Sequence, residues 1–206
     1  MRMRKKKNGE ARIEACSQYL IREPGDIPAS FLPCELEIGC GKGRFIVETA
    51  KANPGKRYIA VELITDALIT ALELAKAEKI PNVMFINANA KDLAAWFKNG
   101  DITVIYLNFS DPWQKSRHAK RRLTYRSFLS IYRELLQDGG KLCFKTDNRD
   151  LFDFSLEELK ECGWRVEKVT NDLHSSEYNE GNIMTEYEKA FSEKGVPINR
   201  LEAYPS

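Results

Sequence analysis

From residue 34 onward, short apolar runs rich in β-branched residues take turns with longer amphipathic stretches, and this alternation constrains the fold more than any other feature. Residues 34–38, 57–61, 83–88, 102–109, 141–146 and 164–170 read as strands, each a brief apolar run between turn-forming residues. Residues 44–52, 64–79, 90–98, 124–136 and 151–162 read as the helices between them. In 64–79, for example, Ala67, Leu68, Ala71, Leu72 and Ala75 share one helical face, and Ile80-Pro81 stops the helix. A helix between successive strands is the crossover that a parallel pair requires, so the expected architecture is α/β with a doubly wound, mostly parallel sheet. The end breaks the rhythm. After Val169 only a polar loop containing His174, Tyr178 and Gly181 precedes 183–191, which is expected to be a last, antiparallel strand.

The segment 1–33 is expected to be an irregular N-terminal arm, basic at Arg2, Arg4, Lys5, Lys6 and Lys7, with a short helix around 11–21; residues 34–206 form the main domain. At 206 residues the chain can bury about 70% of its unfolded surface as one large domain. Its apolar content of 43% and charged content of 30% exclude a disordered chain, and a net charge of only +2 makes its basicity local. No stretch reaches membrane-spanning length and the basic arm lacks a signal peptide's apolar run, so a cytoplasmic protein is expected. The five cysteines form no C-x-x-C pair and the two histidines lie far apart, so neither a disulfide framework nor a metal site is expected.

The stretch 102–122 carries most of the chemistry. An apolar run ends at Ser110-Asp111-Pro112, where proline breaks regular structure and leaves Asp111 at the carboxyl end of a core strand. In open α/β sheets that rim is where ligands bind. Trp113 follows, and then only positive charge: Lys115, Arg117, Lys120, Arg121, Arg122, Arg126 and Arg133, with no acid between Asp111 and Glu134. Alone, Asp-Pro is a turn initiator and a basic run a solvated face. Together on a strand tip they point to a polyanion, nucleic acid first.

The other marked turn is Glu37-Ile38-Gly39-Cys40-Gly41-Lys42-Gly43, between the first strand and first helix. Its glycines permit positive φ and leave room for a ligand against the main chain. A dinucleotide fingerprint counted from Gly39 needs Gly or Ala at position 44, but Arg44 stands there, which argues against a dinucleotide-dependent reductase. The pattern E-x-G-x-G-x-G instead resembles the first motif of the class I S-adenosylmethionine-dependent methyltransferases. Their Rossmann-like, seven-stranded sheet with an antiparallel C-terminal strand is also the order read above. Glu37 suits a cationic cofactor and would sit poorly beside a diphosphate. Glu62 can accept both hydroxyls of a ribose, although dinucleotide enzymes place an acid there too. Asn89 can bond an adenine edge, cap the following helix, or do both.

Exocyclic-amine methyltransferases carry Asn/Asp-Pro-Pro before an aromatic residue, and here Trp113 replaces the second proline. The block from Phe109 to Arg122, with Asp111-Pro112-Trp113, Arg117-His118 and Lys120-Arg121-Arg122, closely resembles the bacterial tRNA (guanine-N7-)-methyltransferases, the TrmB family. Thr146-Asp147 and Thr185-Glu186-Tyr187-Glu188 continue the likeness. The resemblance implies transfer of a methyl group from S-adenosylmethionine to N7 of the variable-loop guanine, position forty-six of tRNA. It implies cofactor contacts at Glu37, Gly39, Gly41, Gly43, Glu62, Asn89 and Asp111, with Asp111 also catalytic. Substrate contacts fall on Lys115, Asp147, Thr185, Glu186, Tyr187 and Glu188; Arg117, His118, Lys120, Arg121 and Arg122 face RNA. Asn89 departs from the pattern, since many relatives carry Asp there. An exocyclic-amine nucleic-acid methyltransferase is the nearest alternative, and monomer and homodimer both remain open.

Overall fold

The structure, a computed structural model, describes residues 7–206, so Arg2, Arg4, Lys5 and Lys6 of the basic arm lie outside the described residues. Eight strands form one sheet: β1 (Leu20–Ile21), β2 (Cys34–Ile38), β3 (Tyr58–Val61), β4 (Val83–Ile86), β5 (Ile102–Asn108), β6 (Leu136–Thr146), β7 (Trp164–Thr170) and β8 (Asn199–Pro205). Their order across the sheet is β1-β4-β3-β2-β5-β6-β8-β7. Every pair is parallel except those of β8, which lies antiparallel between β6 and β7. The helices are α1 (Gly9–Glu14), α2 (Arg44–Ala52), α3 (Thr65–Ala77), α4 (Leu93–Trp96), α5 (Arg126–Leu135), α6 (Arg149–Glu161) and α7 (Glu186–Ser192).

The two faces of the sheet bury separate cores because successive strand side chains point to opposite sides. Leu36 and Ile38 of β2, with Ile59 and Val61 of β3, pack against α4, α5 and α6. On α5 the buried residues Phe128, Leu129, Tyr132 and Leu135 fall at i, i+1, i+4 and i+7, the stripe a core-facing helix presents. On the opposite face Tyr58, Ala60 and Phe85 meet Ile46, Val47 and Ala50 of α2 and Leu68, Ala71 and Leu72 of α3. Glu35 and Glu37 alternate with Leu36 and Ile38, so the strand's two acids also point to this second face, buried.

The expected alternation holds through β7, and two expectations at the ends do not. The sheet has eight strands rather than seven, because Leu20 and Ile21 add a parallel edge strand beside β4. At two residues, β1 is too short to display any period. The stretch 183–191 is not a strand: three residues without regular structure lead into α7. The antiparallel strand lies further on, where apolar Leu201 and Ala203, both buried, alternate along the chain with Arg200, Glu202 and Tyr204. Thr185, Glu186, Tyr187 and Glu188 therefore stand at the start of a helix.

Candidate active site

The site gathers at the carboxyl ends of β2, β3, β5 and β6. As β2 ends, the chain turns through Gly39, Gly41 and Gly43, with φ of 78°, 56° and 79°. A side chain at Gly39 or Gly41 would meet nothing within 4 Å. These two glycines thus leave bare backbone facing open space. Gly43 acts differently: a Cβ there would lie 2.6 Å from Ala71 Cβ, so this glycine lets α2 close against α3.

Glu62, just past β3, pins the turn. Its Oε2 accepts from the Gly41 N–H at 2.7 Å and its Oε1 from the Ile64 N–H at 2.8 Å. Each oxygen keeps a second lone pair for a ligand. Asn87 Nδ2 donates to the carbonyls of Glu62 and Leu63 and fixes this corner, beside which Leu63 and Ile64 expose apolar surface. Asn89 is an N-cap: its Oδ1 accepts from the Lys91 N–H at 3.0 Å. Its amide nitrogen makes no bond among the described residues.

Glu37 sits below the glycine turn. Asn108 Nδ2 donates to its Oε1 at 2.9 Å, while its Oε2 is buried with no partner. Burial pushes this carboxyl up to about 7, against the opposing pull of Asn108 and Lys145. Burial beside Glu37 and Glu62 also raises the Cys40 thiol, which stays protonated and acts as a small apolar wall. Glu37, Gly39, Gly41, Asn108, Phe109, Thr185, Glu186 and Tyr187 line a single cleft of about 430 Å³.

Beyond β5 the backbone is strained on both sides of Asp111: φ is 53° at Phe109 and 41° at Trp113. Such values are uncommon for non-glycine residues and tend to persist where surrounding structure enforces them. Arg122 supplies part of that enforcement. Its Nε and Nη2 donate to the carbonyls of Pro112 and Trp113 at 3.0 and 3.3 Å, and its guanidinium lies 4.3 Å over the Phe154 ring. Asp111 is exposed at the crest of the loop thus pinned. The Trp113 ring is engaged from two sides, by Arg121 at 4.8 Å and by the His118 ring at 5.8 Å, nearly perpendicular.

The basic run divides. Lys115, Arg117, Lys120 and Arg121 are exposed and pair with no carboxylate among the described residues. Arg126 is spent on Glu158 and Glu161, and Arg133 on the Cys162 carbonyl and the Trp164 ring. With Arg122 these two hold the fold together, and the free positive surface is narrower than the sequence run.

The start of α7 is anchored from beneath. Thr185 Oγ1 accepts from the Glu188 N–H at 2.9 Å and Glu188 reaches back, a capping box. Glu188 is fully buried: Lys145 Nζ donates to its Oε2 at 2.6 Å, Asn182 Nδ2 to its Oε1 at 2.6 Å, and His174 Nε2 lies 3.4 Å away. Burial lowers the Lys145 ammonium's affinity for its proton and Glu188 counters it. Glu188 is thus a latch between β6 and α7 in this state, while Glu186 reaches Lys42 across the cleft at 3.3 Å and Tyr187 is exposed. Asp147 is half-buried beyond β6, outside the cleft lining. Sequence reasoning passed over Asn108, Phe109 and Lys145. The polar Asn108 closing an apolar strand was the available signal for the first.

The family described as "Putative methyltransferase" matches residues 32–201. The tRNA (guanine-N(7)-)-methyltransferase of Geobacillus sp. (strain WCH70) is 46% identical over 213 residues, covering 100% of this chain and 96% of the relative. The enzyme of the same description from Bacillus cytotoxicus is 45% identical over 210 residues, covering 98% and 96%. The chain belongs to the tRNA (guanine-N7-)-methyltransferase family. Solved methyltransferases share its fold: the antibiotic-resistance methyltransferase Kmr at TM-score 0.60 and 18% identity, over 88% of this chain and 92% of that one. A precorrin-6y C5,15-methyltransferase from Geobacter metallireducens GS-15 follows at 0.58 and 16%, over 96% and 87%. At these identities the likeness is one of fold alone.

Proposed function

We propose that this family member transfers the methyl group of S-adenosylmethionine to N7 of the variable-loop guanine of tRNA, in the cytoplasm. The observation that carries the reading is Glu37: a buried carboxylate with one orphaned oxygen, at a cleft whose wall is bare glycine backbone. That donor set fits a cation, and a carboxylate there would repel a diphosphate. Glu37 would hold the cationic end of the cofactor, the free lone pairs of Glu62 the ribose hydroxyls, and the free amide nitrogen of Asn89 an acceptor on the adenine. When bound, S-adenosylmethionine supplies an electrophilic methyl group on a sulfonium.

Guanine N7 has an in-plane lone pair and no proton to lose, so the protein needs no general base. Its task is alignment, worth up to roughly 7–11 kcal/mol in favourable cases. Asp111, exposed on its pinned loop, accepts from the guanine N1–H and exocyclic amine and favours the positive charge that develops on the purine. Asp147, half-buried beyond β6, is a second candidate for the Watson–Crick edge. Lys115, Arg117, Lys120 and Arg121 hold phosphates beside the target, and His118 keeps the Trp113 ring in place. N7 is turned toward grooves and tertiary contacts, so the base must leave its stack to reach the strand tips. Incubation with labelled S-adenosylmethionine and bulk tRNA lacking the modification, followed by nucleoside analysis, should yield 7-methylguanosine. N6-methyladenosine, or no labelled nucleoside, would overturn the reading.

A further inference from the structure

We propose that Phe109 and Tyr187 form the seat on which the target guanine stacks, an inference that rests on the tRNA (guanine-N7-)-methyltransferase reading above. An extruded base needs a flat apolar surface beside the reacting atoms, and the conspicuous ring next to Asp111 in the sequence is Trp113. That ring is already occupied, by Arg121 over it and His118 against it. Tyr187 is in the opposite condition. It is 66% exposed, the one aromatic among the exposed large hydrophobic side chains of the described residues. An exposed ring at the mouth of a cleft is unfavourable for the free protein and useful to a planar ligand.

Its backing is built. Phe109 lies nearly parallel to Tyr187, 20° between planes and 6.5 Å between centroids, and equally close to Phe191 one turn along α7. The three rings come from two elements that the fold holds separately. Phe109 keeps a left-handed backbone, φ 53°, fastened by its N–H to the Lys145 carbonyl at 2.9 Å. Tyr187 sits in the first turn of a helix fixed by the Glu188–Lys145 pair below. The same Lys145 therefore anchors both sides of the aromatic pair, one through its carbonyl and one through its ammonium. Phe109 and Tyr187 share the lining of the cleft with Glu37 and Asn108, so a base stacked there stands beside the methyl donor's proposed position. Stacking accepts any base, so the choice of guanine stays with hydrogen bonding at Asp111, and the rings only position.

The test compares Tyr187→Phe and Tyr187→Ala with the wild-type chain. Because Tyr187 is exposed, neither change should disturb the fold, which thermal unfolding checks. Tyr187→Ala should lower kcat/KM for tRNA about tenfold or more, the range for losing one base–ring stack, and Tyr187→Phe, which keeps the ring, should recover most of that loss. S-adenosylhomocysteine affinity should not change in either. The direct readout uses tRNA with 2-aminopurine at the methylated position. Its fluorescence should stay quenched in the wild-type complex and brighten in the Tyr187→Ala complex, where the extruded base has no ring to lie on. Equal fluorescence in the two complexes would overturn the seat, as would a tenfold loss of S-adenosylhomocysteine affinity with normal 2-aminopurine quenching. Failure of the broader reading is distinct: the wild-type chain would then form no 7-methylguanosine at all.

Discussion

Glu37 should make cofactor binding and folding pull in opposite directions with pH. Its carboxyl is held at about 7 rather than its ordinary 4.5, chiefly because burial disfavours the charge, with Glu62 adding repulsion and Asn108, Lys145 and the Ile46 backbone opposing. That difference corresponds to about 3 kcal/mol between the two protonation states. The unfolded chain releases this proton near 4.5 and the folded chain near 7, so between those values the folded state binds more protons. Stability contributed by the group therefore falls as pH rises from about 4.5 to about 7 and stays low above it. Glu37→Gln should thus leave Tm unchanged at pH 4.5 and raise it at pH 8 by on the order of 5–10 °C. The gain is somewhat below the full value, because the new amide nitrogen inherits the orphaned position of Oε2. Binding runs the other way. A cationic ligand needs the ionised form, so wild-type affinity for S-adenosylmethionine should rise about eightfold from pH 6 to pH 7.5 as the carboxylate fraction grows. Calorimetry in buffers of different ionisation enthalpy should detect close to one proton released per cofactor bound at pH 6. Affinity that is flat over this range, or a Glu37→Gln variant no more stable than wild type at pH 8, would refute the reasoning.

Asp111→Ala should slow turnover about a hundredfold, a loss of about 3 kcal/mol, with tRNA affinity within threefold; single-turnover kinetics separate the two. Gly43→Ala should destabilise by about 2–5 kcal/mol, since its Cβ meets Ala71 and its φ is left-handed. Gly39→Ala meets no atom and should lose cofactor affinity with a smaller change in Tm. Replacing Lys120 and Arg121 together by Ala should lower the salt slope of tRNA binding by about 1.4–1.8 in filter-binding titrations. Arg122→Ala should instead lower Tm and turnover, because that side chain fastens the Asp111 loop.

The parallel half of the sheet was legible because each strand and helix carried its own period, and helix α2 falls on the residues its spacing indicates. The glycine turn was legible as a turn from its spacing, but the separate task of Gly43 depends on where Ala71 lies, which no local pattern records. The end of the chain departs from the expected strand for a reason visible in its residues. Thr185-Glu186-Tyr187-Glu188 has the T-x-x-E spacing of a helix start, and the alternation at 200–204 is the period of a strand. The loop after β7 therefore leads first into a helix, and the antiparallel strand comes only after it. Charge was the least transparent property. Lys115 and Arg126 look alike in sequence, and only the acids brought in by α6 decide that one is free and the other is a strut.

The place of β8 has a consequence for how the chain comes into being. In chain order it is the last of the eight strands, yet it fills the gap between β6 and β7. While the ribosome is still delivering residues 171–198, β7 has no strand to pair with and β6 shows an open edge. The glycine turn and the Asp111 loop can already be in place at that stage, but Ile198 and Leu201, both wholly buried later, have not arrived. Domains that close on a late strand expose sticky edges until they do so. A nascent chain stalled in that interval would therefore display much of a methyltransferase's cleft on an unfinished sheet, a species for chaperones and proteases to find.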